Sequence, residues 1–269
     1  MGRSAWPPYM LSVPATNWQN ETMKANGIPE DVAAAIVECW PEGVIEEFDT
    51  DESYFYDIHA ALELDLRRIP RASLLWQTEA NDDRAYRDHD YDAEPPSSDP
   101  DFQSYHVFFL SPQGSEFEFE TETDGTEEPG PLGDPDGESP TVTFAGRGRH
   151  GCSVTVSLAT PFAAVRFANY AQFEDGSNST PDPGNVAYHN DAAEPVDLAA
   201  SYRKDLGEPA FAKLQNLRSG IVKVLARHGV LVLDQAVLAL PAPDLRSDGD
   251  VFLEGKELSV GDAFFFRGL

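Results

Sequence analysis

Residues 146–159 read GRGRHGCSVTVSLA, and the fold class turns on the run behind the glycines. Gly146-Arg147-Gly148-Arg149-His150-Gly151 has the G-x-G-x-x-G spacing of a dinucleotide-binding turn. That spacing binds a pyrophosphate only where a helix opens behind it, because the helix N-terminus receives the phosphates. Here the next run places Val154, Val156 and Leu158 at alternate positions between Ser and Thr, the period of a strand. The next acidic residue, Glu174, comes only after a further strand-like run. The stretch therefore reads as a tight glycine turn between strands at 142–144 and 152–159, with Arg147, Arg149 and His150 available as a small anion-binding tip.

On either side of this stretch, residues 162–170 read as the next strand and residues 73–78 as a short one. Residues 105–110 and 116–122 read as an antiparallel pair around Ser111-Pro112-Gln113-Gly114. Further short strands are expected at 230–233, 236–240, 251–253 and 263–266. Helical spacing is clearest at 208–228, where Phe211, Leu214, Leu217, Ile221, Leu225 and His228 share a stripe and Gly229 supplies the stop. His228 there suits the negative end of the helix dipole. Pro29-Glu30-Asp31 opens a helix to about Trp40, with Ile36 and Trp40 as an apolar pair. Ile58, Leu62, Leu66 and Ile69 favour a helix over 57–69, although the alternation of Leu62, Leu64 and Leu66 also permits a strand.

Residues 1–27 read as an irregular arm, 80–104 and 174–200 as long polar loops, and 123–140, with four Pro and four Gly, as a mobile segment. No internal repeat is visible. Strands that cluster apart from helices argue α+β with a mainly antiparallel sheet, a few packed helices and long acidic loops. The expectation is a single domain over 1–269, with 123–140 the place for any subdivision.

The chain sets 19 Lys and Arg against 47 Asp and Glu, a net charge of −28, while 41% apolar residues suffice for a core. Such a field repels nucleic-acid phosphates and anionic lipids. No run of about 18 apolar residues suggests a membrane span. The N-terminal residues carry no secretory h-region, and Trp6 breaks the myristoylation pattern. Cys39 and Cys152 are too few for a disulfide framework or a zinc cage. A cytoplasmic protein without metal or cofactor is expected.

The acidity is concentrated. Residues 82–138 hold 18 acids against Arg84 and Arg87, whereas 203–228 carries Arg203, Lys204, Lys213, Arg218, Lys223 and Arg227 against Asp205 and Glu208. That basic helix is either a solvated face or a dock for the chain's own acidic part. Within 82–138, Glu116, Glu118, Glu120 and Glu122 fall on one side of a strand and Phe117 and Phe119 on the other. Four neighbouring carboxylates repel one another, and a row of Lys or Arg opposite would relieve them. With Asp82, Asp83, Asp88, Asp90 and Asp92, this row is the expected binding surface for a basic protein.

Asp88-His89-Asp90-Tyr91-Asp92 offers oxygen ligands, but Ala93 breaks the EF-hand pattern, so a solvated loop is the plain reading and a Ca²⁺ or Mg²⁺ site the alternative. His189-Asn190-Asp191 carries the same two readings. The six histidines form no zinc-protease pair, and neither a nucleophile elbow nor a phosphate loop occurs. Cys152, inside a strand run, reads as a buried small hydrophobe, with a nucleophile paired to a remote His as the alternative.

The C-terminal stretch LARHGVLVLDQAVLALPAPDLRSDGDVFLEGKELSVGDAFFFRGL, about a sixth of the chain, resembles the ends of uncharacterised bacterial proteins encoded beside polymorphic toxins. The resemblance rests on the "VLVLD" strand, "ALPAPDLR" and the closing "SVGDAFFFRG". It implies an immunity protein: cytoplasmic, acidic, and blocking a cognate toxin; it carries over no individual residue. The leading expectation is thus a non-enzymatic acidic binding protein that neutralises a basic partner such as a toxin. One alternative is a hydrolase or metal-dependent enzyme using His89, Asp90, His189 and Asp191 from the loops 80–104 and 174–200. The other is an accessory protein of a salt-adapted organism, since Lys numbers 5 against 14 Arg.

Overall fold

In the computed structural model the glycine motif is no turn: it lies inside one continuous strand of 17 residues, β5 (Thr141–Ser157). The structure describes residues 27–45, 54–77, 105–126, 141–174, 178–179, 198–247 and 257–265. Its other strands are β1 (Val44–Ile45), β2 (Ala72–Gln77), β3 (Tyr105–Pro112), β4 (Glu118–Thr126), β6 (Phe162–Phe173), β7 (Asn178–Ser179), β8 (Leu231–Val232) and β9 (Arg246–Ser247). Its helices are α1 (Glu30–Cys39), α2 (Tyr54–Arg67), α3 (Leu198–Leu206), α4 (Glu208–Arg227), α5 (Gln235–Leu238) and α6 (Val260–Phe264). The expected arm up to residue 26, the loop 80–104, most of 174–200, residues 127–140 of the expected mobile segment 123–140 and the strand at 251–253 lie outside the described residues, while residues 123–126 of that segment continue β4 instead.

The glycines of β5 serve its neighbours' side chains. A Cβ on Gly146 would overlap the ring of Phe173, one on Gly148 the ring of Phe119, and one on Gly151 the carbonyl of Leu110 and the ring of Phe109. Rings from the flanking strands occupy the space that side chains on β5 would need, so the strand runs through instead of turning.

The expected hairpin between 105–110 and 116–122 is also replaced. β3 and β4 do not pair with each other; both run antiparallel to β5 along the same edge, β3 against Cys152 to Ser157 and β4 against Thr141 to Arg149. They form one long arm interrupted by a short excursion, SPQGSEF at 111–117, that ends in a 3₁₀ turn (Ser115–Phe117). On its other side β5 pairs with β6, and β2 pairs with β3, giving the order β2-β3-β5-β6-β7. Only β8 on β6 and the separate pair β1–β9 are parallel among the described strands. The architecture is α+β with a mainly antiparallel sheet.

Alternation along the strands sends side chains to two cores. On one face Phe108, Leu110, Cys152, Val154, Val156 and Val165 meet Phe55, Leu62 and Leu66 of α2 and Phe211, Leu214, Leu217, Ile221 and Leu225 of α4. On the other, Tyr105, Val107, Phe162 and Ala164 meet α1, α5 and α6. The sheet is thus the middle of three layers. The helical stripe at 208–228 is buried as expected, and α4 ends where Gly229 takes φ 78°, a conformation glycine adopts without strain. The 57–69 stretch resolves to the helix α2, whose Asp65 accepts from His228 at 3.2 Å, tying the end of α4 to α2.

Two short strands expected at 236–240 and 263–266 are helical instead, as α5 and α6. In α6 a capping box sets the state: the Ser259 hydroxyl accepts from the Asp262 N–H at 3.2 Å, and the Asp262 carboxylate accepts from the Ser259 N–H at 2.7 Å. Trp40 at the end of α1 donates its indole N–H to the Ala263 carbonyl at 2.9 Å, closing the second core.

Candidate functional site

β4 ends its half of the sheet, and among the described residues it pairs with β5 alone. The register sets Glu118 opposite Arg149, Glu120 opposite Arg147 and Glu122 opposite Ala145. Directly opposed residues share a face, so a glutamate column stands beside an arginine column. The three glutamates and Arg147 are exposed, and Arg149 is half-buried.

Glu116 is not in that row. It sits in the 3₁₀ turn, anchored by the fully buried Phe117, and its carboxylate accepts from Lys213 of α4 at 2.5 Å. That hydrogen bond from Lys213 holds the Glu116 carboxyl below its ordinary range. At this point the basic helix docks on the chain's own acidic part. The expected row of four carboxylates becomes three, and Glu118 forms an ion pair with Arg149 at 2.5 Å.

Arg149 explains how the excursion is tolerated. Its Nη2 donates to the carbonyls of Pro112 and Gly114, each at 3.0 Å, and its Nε donates to the Ser111 hydroxyl at 3.2 Å. Ser111 in turn donates to the His150 carbonyl at 2.9 Å. Carbonyls that leave the ladder at the interruption thus find a charged donor, as buried backbone groups require. The anion-binding tip does not assemble from its three residues. Neighbours along a strand face opposite ways, so His150 points away from Arg147 and Arg149. Its Nδ1 lies 2.8 Å from Asn169 Oδ1, and its ring packs on Phe119 and Tyr202. Because Asn169 Oδ1 already accepts from the Tyr202 hydroxyl at 2.9 Å, His150 donates through Nδ1.

Comparison with protein-family models, with curated proteins and with solved structures finds no match.

The remaining groups with chemical potential are inside the fold. Burial pushes the thiols of Cys39 and Cys152 up to about 12, away from the thiolate that a nucleophile or metal ligand needs. Cys152 is a core residue, in keeping with its strand context. His59 on α2 and His106 on β3 sit with ring centroids 4.7 Å apart, walled by Phe55 and Phe108, and each has a buried Nε2 without a hydrogen-bond partner among the described residues. Burial holds both below the ordinary imidazole range, His106 down to about 3, so both are neutral. On the opposite face of the sheet, Arg166 has its Nε and Nη1 buried without partner among the described residues, and burial lowers it to about 10. Sequence reading misses this pair of histidines because they lie 47 positions apart on a helix and a strand, and only the packing of α2 on β3 joins them.

Among the described residues no three His, Cys, Asp or Glu side chains converge as metal ligands. No described helix is long and apolar enough to cross a membrane. Asp82, Asp83, Asp88, Asp90 and Asp92, with His89, His189 and Asp191, lie outside the described residues. The charge divides along the same boundary. The described residues hold 13 Lys and Arg against 19 Asp and Glu, a net −6 out of −28.

Proposed function

We propose that this chain is a non-enzymatic, cytoplasmic acidic binding protein that captures a basic protein, in the manner of an immunity or inhibitor protein holding a toxin. The observation that carries the reading is the exposed column Glu118, Glu120 and Glu122 on an outermost strand, within a chain of net charge −28. A field of that sign raises the encounter rate with a cationic partner and is screened by salt. The segment 82–138, which contains β4, carries more than half of the chain's net negative charge. The resemblance of residues 225–269 to toxin-neighbour proteins points to the same class of partner.

A pull-down from the source organism's lysate at low and at high salt tests the reading. Wild type is expected to retain a basic protein at low salt and release it at high salt. Reversal of Glu120→Lys with Glu122→Lys, which leaves the Glu118–Arg149 pair in place, is expected to slow association and flatten the salt dependence. Retention of no basic protein, or equal retention by the double reversal, would overturn it.

A further inference from the structure

In an antiparallel ladder, alternate residues turn their N–H and C=O toward the neighbouring strand, and the residues between turn theirs away. β4 has β5 on one side and, among the described residues, no strand on the other. About half of the backbone groups along its nine residues therefore point outward. Side chains on this edge alternate cleanly. Glu118, Glu120 and Glu122 are exposed on one face, and Phe119, Thr121 and Thr123 are half-buried on the other. Each glutamate meets Arg149, Arg147 or Ala145 on its β5 side, and among the described residues no strand lies on its outer side.

We propose that β4 is an acceptor edge for an extended segment of a basic partner. The segment adds as the next strand, with Lys or Arg at alternate positions opposite Glu118, Glu120 and Glu122. Apolar or β-branched residues sit between them, opposite Phe119, Thr121 and Thr123. This inference rests on the binding reading above and gives it a geometry. Backbone hydrogen bonds supply affinity in such strand addition, and alternate side chains supply selectivity. Opposite charges directly across a ladder stabilise it and like charges destabilise it. A second copy joined edge to edge by a two-fold axis keeps matching faces together and so sets glutamate against glutamate. The edge thereby disfavours itself and favours a strand with the complementary period of two.

The test uses the full chain and four synthetic nine-residue peptides. One alternates Lys with Val and Thr; one has the same composition with the lysines in a block; two are the alternating peptide N-methylated on odd or on even amides. The alternating peptide is expected to bind about tenfold or more tightly than the block peptide, a difference of about 1.4 kcal/mol. One methylated form should lose binding and the other keep it, since only one set of amides faces β4. Amides of 118–126 should exchange more slowly in the complex. Glu120→Lys with Glu122→Lys should weaken binding at least about tenfold, and Glu42→Lys, remote from the edge, should leave it unchanged. Should the reversal fail to fold, Glu120→Gln with Glu122→Gln gives the same comparison. Equal, salt-sensitive binding of the block peptide would overturn the edge while leaving capture by net charge standing. Binding of both methylated forms at the parent's affinity, or of no peptide at all, would also overturn it, and the lysate experiment decides the broader reading separately.

Discussion

The two ends of β5 meet different neighbours and are built differently. From Cys152 to Ser157 the strand lies between β3 and β6 and every side chain is buried, Cys152, Val154 and Val156 toward α4 and Ser153, Thr155 and Ser157 toward the opposite face. The hydroxyls on that face need partners, and Ser157 Oγ accepts from the N–H groups of Ala159 and Thr160 at 3.2 Å. From Gly146 to Arg149 the strand lies between β4 and β6, with buried glycines alternating with arginines. Burial on both faces demands small or β-branched residues, whereas burial on one face leaves the other to charge. The interior half supplies stability, and the peripheral half supplies a patterned edge.

The largest effect is expected beneath the interior half. Leu217→Ala, in the core between α4 and the sheet, should cost about 2–5 kcal/mol in denaturant melts. A smaller effect separates the two halves through their glycines. Gly151→Ala drives a methyl into the Leu110 carbonyl and should cost about 1–3 kcal/mol, because backbone must move. At Gly148→Ala the nearest atoms belong to the Phe119 ring, a side chain that can shift, and the change should cost less. Equal losses at the two positions would mean that the peripheral half is packed as rigidly as the interior.

Acid acts on the interior through its buried histidines. His59 and His106 are neutral in the fold, whereas an unfolded imidazole titrates near its ordinary value of 6.5. Below that value the unfolded chain binds protons that the fold excludes, so stability falls as pH drops from about 6.5 toward about 3. His106 contributes a slope of up to about 1.4 kcal/mol per pH unit in that window. His106→Phe should remove one such slope, read as the difference from wild type so that the carboxylates cancel. The smallest effect belongs to the periphery. A double-mutant cycle on the exposed Glu120 and Arg147 should give a coupling of about 0.2–1 kcal/mol that shrinks with salt.

Sequence alone reveals those elements whose own residues repeat. α4 and α1 are readable because several turns place apolar residues on one stripe, and the length of α2 decides it against the leucine alternation. β5 is misread because its glycines look like punctuation until the rings of Phe109, Phe119 and Phe173 are known to lie over them, and those rings belong to other strands. α5 and α6 are missed because four or five residues carry too few turns to show a period. For α6 a signal is present: Ser259 three positions before Asp262 is a capping pair. Of the candidate surface, Glu118, Glu120 and Glu122 emerge by simple alternation. The removal of Glu116 by Lys213 and the holding of the excursion by Arg149 depend on residues 97 and 31 to 38 positions away from their partners, beyond any local pattern.

The bond from Trp40 to Ala263 spans 223 positions of chain. A ribosome adding about 5–20 residues each second makes α1 many seconds before the helix that covers it. During that interval β2 can pair with β3, whereas β4 waits for β5. The first described helix to be synthesised is therefore among the last to be packed, and its apolar face must stay out of other hands until α6 has been made. A chain stopped before residue 257 would leave α1 without α6 and would expose that face to chaperones and proteases.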